Sequence, residues 1–189
     1  GSVVLGGQDL TRATPYERAR AGVGYVPQGR EIFARLTVEE NLQMGLATQP
    51  GSTPIPPELF ELFPVLKQML HRRGGDLSGG QQQQLAIARA LAAKPKLLIL
   101  DEPTAALGVR ESNQVLKLIE SLRERGMPVI LISHNMPQVF EVADRIQVMR
   151  LGKRAAVVTP KTHDMKDAVA IMTGAVKIDP KDQTLKPVR

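Results

Sequence analysis

Two hydrophobic patterns alternate through the second half of the chain. Residues 97–100 and 129–133 contain apolar runs of strand length without a polar face, which is typical of a parallel sheet covered on both sides. Residues 111–125 instead repeat apolar positions at helical spacing, and Gly126 ends that segment. Strands that alternate with helices after residue 95 predict an α/β fold with right-handed crossovers. The 129–133 run is expected to be a second buried strand.

Capping residues and prolines predict the elements of the first forty residues. Thr14 followed by Pro15 predicts the start of a helix. Residues 23–26 have the composition of a strand, which a proline then ends. Thr37 and Glu40 have the spacing of a capping box, so a second helix is expected to begin there.

The middle of the chain has helical patterns only. Residues 58–73 have helical spacing that Pro64 bends or restarts, and a further helix is expected over residues 79–93. The sequence therefore predicts an all-α insert within a core that contains the sheet. The predicted parts are a core formed by residues 1–35 and 95–175, a helical subdomain at 36–94 inserted into it, and a loose tail at 176–189.

The C-terminal quarter carries short elements and most of the excess charge. Strands are expected at 145–150 and 155–158, and a short helix is expected at 164–172. The net charge is +6, and residues 153–189 hold eight Lys and Arg against four Asp. Such a segment either contacts an acidic partner or a membrane surface, or is a solvated tail. The solvated tail is the favoured interpretation.

Composition excludes several classes of function. With 42% hydrophobic and 23% charged residues, the 189-residue chain resembles an ordinary globular domain. It contains no Cys, which excludes disulfides and thiolate metal sites. No apolar run has the length needed to span a bilayer. Aromatic residues make up 3% and do not interleave with a basic stripe, so no nucleic-acid partner is predicted.

Residues 77–81 form a glycine-rich segment at the start of a predicted helix. Ser78, Gly79, Gly80 and Gln81 place a hydroxyl group and successive backbone N–H groups at the helix N-terminus, a geometry that suits a phosphate. Glycine also lets a phosphate approach the backbone closely. The alternative is that Ser78 only caps the helix.

Two carboxylates follow the apolar run at residues 97–100. Asp101 and Glu102 stand where the predicted strand ends, and Pro103 follows them. Ligands bind at the carboxyl ends of strands in α/β sheets, and paired carboxylates there suit Mg²⁺ and a water nucleophile. The alternative is a pair of acidic residues that caps the next helix.

In this order, the two motifs resemble the signature and Walker B motifs of ABC-type ATPases, and the resemblance extends to about residue 175. It implies a P-loop NTPase-like (RecA-like) parallel sheet with an inserted α-helical subdomain, and ATP with Mg²⁺ as cofactors. It implies that Asp101 binds Mg²⁺ and that Glu102 is the general base that orients the attacking water. Residues 78–81 would contact the γ-phosphate held by the opposite subunit.

Two further positions match the same family, and one departs from it. Gln28 matches the glutamine of the Q-loop, which reaches Mg²⁺ and water and senses the transmembrane partner; a plain surface glutamine is the alternative. His134 matches the switch histidine that contacts the γ-phosphate; a structural histidine at a strand end is the alternative. Gly108 departs from the family, which usually has Asp at this position of the D-loop that communicates across the dimer.

The family's P-loop motif, Gly-x-x-x-x-Gly-Lys-Ser/Thr, does not occur in the 189 residues. Residues 1–5 resemble the strand that follows the P-loop helix in the family. We therefore expect an N-terminally truncated cassette that binds ATP poorly and is inactive alone, because the P-loop supplies the main phosphate contacts. We also expect marginal stability and self-association, since loss of an interior strand exposes a sheet edge.

The two halves of the chain resemble different importers. Residues 26–33 and 36–42 resemble those of urea and branched-chain amino-acid importers, whereas residues 104–112 and 132–136 resemble those of sugar importers. A chain joined from two sources is one interpretation of this switch, which falls near the Walker B strand.

The resemblance implies an ATP-binding and ATP-hydrolysing subunit of an ABC importer. Its expected partners are a second ATP-binding subunit and transmembrane permease subunits, at the cytoplasmic face of the inner or plasma membrane. One alternative is a catalytically incompetent ABC module that supplies the signature motif in trans to an intact partner. Another is an ABC ATPase with a role outside transport.

Overall fold

The computed structural model describes residues 1–179 and 182–187, with side chains described through residue 176. The chain forms two compact units, Gly1–Ile132 and Ser133–Arg189. Within the described ranges, no helix combines the length and the hydropathy that a membrane span requires. The helices are α1 (Pro15–Ala21), α2 (Val38–Met44), α3 (Glu58–Leu62), α4 (Pro64–Gln68), α5 (Gly79–Ala92), α6 (Val109–Glu124), α7 (Met136–Val142) and α8 (Met165–Thr173). The strands are β1 (Val4–Leu5), β2 (Gln8–Asp9), β3 (Val23–Val26), β4 (Leu97–Asp101), β5 (Val129–Ile132), β6 (Ile146–Arg150), β7 (Lys153–Val158), β8 (Val176–Asp179) and β9 (Asp182–Pro187).

A parallel sheet in the order β3-β4-β5 organises the first unit. The register pairs Val26 with Leu100 and Asp101 with Ile132. Because the three strands run in the same direction, their carboxyl ends meet at one edge of the sheet, the edge at which α/β proteins bind ligands. The α/β fold with a parallel sheet that the sequence predicts is therefore confirmed.

The prediction that residues 129–133 form a fully buried strand is wrong. Ile130 is 46% exposed and Ile132 is 49% exposed, whereas Leu98 and Leu100 of β4 are fully buried. Two features account for the difference. The register pairs Ile99 with Ile130 and Asp101 with Ile132, so both exposed isoleucines lie on the face of the sheet opposite to Leu98 and Leu100. In addition, β4 lies between two strands, and β5 lies at the end of the described three-stranded sheet. An apolar run predicts a strand but not the number of its neighbours.

The cap predicted at Thr37 and the proline predicted to interrupt residues 58–73 both mark helix starts between β3 and β4. Thr37 accepts a hydrogen bond from the Glu40 N–H while the Glu40 carboxylate accepts one from the Thr37 N–H, so α2 opens with the predicted capping box. Pro64 stands at the first position of α4 and splits the predicted 58–73 helix into two short helices. Val38 of α2, Leu66 of α4 and Leu85 of α5 are fully buried and form the core of this region.

The second unit is built around an antiparallel hairpin. β6 pairs with β7, and Val148, Val158 and Ile171 are buried in the core of this unit. The structure adds α7, which the sequence analysis does not predict. It also pairs β8 with β9 in the segment expected to be a loose tail. Residues 180, 181, 188 and 189 of that segment lie outside the described residues.

Candidate functional site

The two carboxylates predicted from the sequence lie at the carboxyl end of the central strand. Asp101 is the last residue of β4, and Glu102 begins the β4 loop, which we define as residues 102–108. Glu102 has a φ of +45°, a left-handed conformation that is strained for a residue with a side chain. Its N–H donates to the Ile132 carbonyl at 2.8 Å, so β5 holds the strained residue in place.

A tyrosine from the neighbouring strand reaches the first of these carboxylates. The Tyr25 hydroxyl donates to Oδ2 of Asp101 at 3.3 Å. Partial burial raises the pKa of Tyr25, and the negative charge of Asp101 adds to the effect. This contact was not predicted, because the two residues are 76 positions apart and nothing local to Tyr25 indicates it.

The glycine-rich segment forms a capped helix start, which we call the signature turn (residues 77–81). Ser78 Oγ accepts a hydrogen bond from the Gln81 N–H at 3.3 Å, and Gln81 Oε1 accepts one from the Ser78 N–H at 2.9 Å. Ser78 is therefore the N-cap of α5. The first N–H groups of an α-helix have no partner within the helix, so the turn retains the donor geometry that an anion requires.

The segment after β3, here called the β3 loop (residues 27–33), carries Gln28 and is strongly bent. Gln28 is exposed, and Arg30 and Glu31 follow with φ values of +73° and +45°. Arg89 of α5 donates to the Glu31 carbonyl at 2.9 Å and to the Arg30 carbonyl at 3.5 Å. The Arg89 guanidinium also lies 5.1 Å from the ring centroid of Phe33. Helix α5 thus holds the loop in a conformation that its sequence alone disfavours.

Arg30 joins the β3 loop to the other two parts of the site. Its Nη1 donates to Gln82 Oε1 at 3.4 Å, in the first turn of α5. Its Nη2 donates to the Ala106 carbonyl in the β4 loop at 3.3 Å. Arg30 is not among the predicted site residues, and its position two residues after Gln28 is the only signal in the sequence.

The predicted histidine belongs to the second compact unit. His134 is exposed and follows Ile132 of β5 by two residues. The Asn135 N–H donates to Ser133 Oγ at 3.1 Å, and Asn135 Oδ1 accepts from the Gln138 N–H at 3.4 Å. Asn135 therefore caps α7, and the backbone on the C-terminal side of His134 is held by that cap.

The carboxylate set fits a magnesium ion bound together with phosphates. Within the described residues there is no group of three or more His, Cys, Asp or Glu side chains that could hold a metal by themselves. Mg²⁺ keeps several waters and is usually bound through one or two carboxylates and substrate phosphates. Asp101 supplies one such carboxylate at the ligand-binding edge of the sheet, which leaves the adjacent Glu102 carboxylate for a water molecule.

Comparison with known proteins agrees with this architecture. The family profile described as "ABC transporter" matches residues 1–105, more than half of the chain. The chain belongs to the ABC transporter family. The resemblance drawn from the signature and Walker B motifs is thereby confirmed.

Individual members of the ABC transporter family match most of the chain. The fructose import ATP-binding protein FrcA of Rhizobium meliloti is 43% identical, over 93% of this chain and 73% of the relative. The high-affinity branched-chain amino acid transport ATP-binding protein BraG of Pseudomonas aeruginosa is 40% identical, over 87% of this chain and 74% of the relative. A solved dimeric structure of a bacterial ABC transporter cassette matches with a TM-score of 0.70 and 25% identity, over 85% of this chain and 73% of that one. Both the sugar and the amino-acid relative therefore match well beyond one half of the sequence.

Proposed function

We propose that this chain is an ATP-binding and ATP-hydrolysing subunit of an ABC importer for a sugar or an amino acid. The observation that carries the proposal is the position of Asp101 and Glu102 at the carboxyl end of the central strand, next to the start of α5. Arg30 joins the β4 loop, which begins at Glu102, to the first turn of α5. FrcA and BraG, by their printed names, serve fructose import and branched-chain amino-acid transport. They support the importer class and leave both solute classes open.

Each site residue has a proposed role. Bound Mg-ATP would supply the phosphoanhydride bond to be cleaved, with the metal neutralising phosphate charge. Asp101 would hold the metal, and Glu102 would accept a proton from the attacking water and orient it. Gln28 would contact the metal and the water, and His134 would donate to the γ-phosphate. Residues Ser78, Gly79, Gly80 and Gln81 would contact the γ-phosphate bound by the opposite subunit.

The proposed assembly is a dimer of ATP-binding subunits on transmembrane permease subunits, at the cytoplasmic face of the membrane. The matching dimeric cassette supports the dimer. Residues 36–94, as a helical subdomain inserted into the core at 1–35 and 95–175, would dock the permease together with Gln28. In the described first unit, the segment between β3 and β4 contains helices and no named strand, which supports an inserted helical part.

A second candidate function is a module that supplies the signature motif in trans to an intact subunit. One observation favours it: the signature turn is an ordered start of α5, capped by Ser78. The 189 residues themselves contain no P-loop motif. Without the P-loop's N–H cradle and lysine, the phosphates of ATP would lack their main contacts. We therefore expect the 189-residue chain to bind Mg-ATP weakly by itself.

The first experiment measures Mg-ATP binding to the purified chain by calorimetry, with Glu102→Gln as a companion to reduce turnover. Absence of binding up to millimolar ATP would agree with the missing cradle. Micromolar affinity would contradict that expectation, because some other group would then have to hold the phosphates.

The second experiment supplies a P-loop by fusing to residue 1 an ABC-cassette segment that contains the motif Gly-x-x-x-x-Gly-Lys-Ser/Thr. We expect ATP hydrolysis by the fusion, and a loss of about 100-fold or more in Glu102→Gln with ATP binding retained, the size typical of a removed general base. Glu120→Gln, an acidic residue on α6 outside the candidate site, is the matched control and should keep full activity. Equal activity of the two variants would overturn the role of Glu102.

The second candidate is tested with intact FrcA whose own signature serine is replaced. If this chain supplies the motif in trans, adding it should restore hydrolysis, and adding its Ser78→Arg variant should not. Restoration by both proteins would show that the signature turn is not the source of the effect.

A further inference from the structure

The side chain of Glu111, on α6, lies against two glycines: Gly80 in the signature turn and Gly108 in the β4 loop. A Cβ atom built on Gly80 would lie 2.7 Å from Cγ of Glu111, and a Cβ built on Gly108 would lie 2.6 Å from Oε2 of Glu111. The stem of Glu111 therefore passes over the first turn of α5, and its carboxylate reaches the last residue of the β4 loop. Any larger residue at either position would displace it.

The two glycines leave space for a side chain and do not supply backbone freedom. Gly108 has a φ of −67°, which every residue adopts, and Gly80 lies within α5, where glycine costs about 1 kcal/mol relative to alanine. Neither backbone requires glycine. What both positions share is the Glu111 side chain lying where a Cβ would otherwise be.

Arg30 makes a corresponding link between the start of α5 and the β4 loop. It donates to Gln82 in the first turn of α5 and to the Ala106 carbonyl in the β4 loop, and its Nη2 would lie 3.4 Å from a Cβ on Gly79. The first two residues of α5 thus each contact a charged side chain, of opposite sign, that also touches the β4 loop.

We infer that Glu111 is a positioning residue that fixes the β4 loop to the signature turn, so that the two move together. The inference deepens the proposed function and rests on it, because there the signature turn faces the partner's nucleotide and the β4 loop follows the general base. The link works through the length of the side chain, which must span from α6 across Gly80 to Gly108.

A different explanation is that Glu111 only stabilises α6. It stands in the first turn of that helix, where a negative charge interacts favourably with the helix dipole. The two explanations make opposite predictions. Glu111→Asp keeps the charge and shortens the stem, whereas Glu111→Gln keeps the length and removes the charge.

The test is amide hydrogen exchange of residues 79–83 and 104–109 in the purified chain without nucleotide, so that it does not depend on ATP binding. We expect Glu111→Asp and Glu111→Ala to exchange at least about threefold faster in both segments, as expected when a surface contact that holds a loop is lost. Glu111→Gln should stay near the unmodified chain, and Glu120→Asp is the control for shortening a glutamate elsewhere on α6. Fast exchange in Glu111→Gln with normal exchange in Glu111→Asp would overturn the inference in favour of the helix-dipole role.

A double-mutant cycle with Gly80→Ala tests the contact itself. The new methyl group should push the Glu111 stem aside and speed exchange of residues 104–109. In the Glu111→Ala background it has no stem to displace, so the same change should have no such effect. Equal effects of Gly80→Ala in both backgrounds would overturn the inference. A failure of ATP binding in the fusion would instead count against the proposed function and leave this result intact.

Discussion

Strands β4 and β5 are similar in sequence and differ in their surroundings. The run Leu-Leu-Ile-Leu of β4 and the run Val-Ile-Leu-Ile of β5 would be interchangeable by composition. Leu98 and Leu100 are nevertheless fully buried, and Ile130 and Ile132 are about half exposed. Part of the difference is the face, since Ile130 and Ile132 share a face with Ile99 and not with Leu98 and Leu100. On that shared face Ile99 is half-buried and its partner Ile130 is exposed, because β4 is paired on both edges and β5 is paired on one in the described sheet. Hydrophobic composition therefore overestimates how much the end strand contributes to stability.

The largest expected effect is on the free energy of unfolding, which should fall more for a substitution in β4 than for one in β5. Leu100→Ala should lower the free energy of unfolding by about 3 kcal/mol, because it leaves a cavity in a fully buried position. Ile132→Ala should cost about 1 kcal/mol, since half of that side chain is already in water. Urea unfolding of both variants measures the difference. Equal losses would mean that β5 is covered in solution.

The second prediction concerns the strained residue that links the two strands. Glu102→Gly and Glu102→Ala both remove the carboxylate, and only glycine relieves the left-handed φ of +45°. The glycine variant should therefore be more stable than the alanine variant by about 1 kcal/mol. Thermal unfolding of the pair checks this, and a more stable alanine variant would mean that the backbone relaxes at this position.

The third prediction uses the exposed face of β5. Ile130→Lys and Ile132→Lys together should reduce self-association of the chain, because exposed apolar side chains on an end strand promote pairing between molecules and lysine opposes it. Sedimentation velocity over a range of protein concentrations measures the effect. Lys substitution at exposed Met165 of α8 is the control. An unchanged association would place the contact elsewhere.

The smallest expected effect is a change in the pKa of Tyr25, which contacts Asp101 at the carboxyl end of β4. Since the pKa of Tyr25 is raised in the folded chain, its neutral hydroxyl favours folding below the unfolded pKa of about 10, and that contribution disappears as the pH rises through the folded pKa. Asp101→Asn should lower the Tyr25 pKa toward its ordinary value. Tyrosinate absorbance reports this directly in a Tyr16→Phe background, because the chain has two Tyr and no Trp. No change would mean that the hydroxyl does not face Asp101.

Features encoded within a few residues could be predicted from the sequence. Thr37 and Ser78 form the caps that their spacing suggests, and the motif at residues 101 and 102 ends a strand of the sheet. The short helix α7 could have been found as well, since Asn135 precedes a proline near the helix start. Short helices with few apolar positions leave a weak periodic signal.

Contacts between distant residues could not be predicted in the same way. Arg30 and Ala106, like Tyr25 and Asp101, are separated by 76 positions, and each pair meets only because β3 and β4 lie side by side. The space left by Gly80 and Gly108 is likewise visible only once the Glu111 side chain is placed. These links depend on the packed fold, whereas the motifs themselves depend on local order.

The attachment of the β3 loop to both ends of α5 has a mechanical consequence. Arg30 joins the loop to Gln82 near the start of the helix, and Arg89 joins it near the end. Seven residues of helix separate these attachments, a distance of roughly 10 Å at the helical rise per residue. A loop attached to a helix at one point can rotate about that point. A loop attached at two points along the helix moves together with it. A movement of the β3 loop at Gln28 would therefore move α5 as a whole.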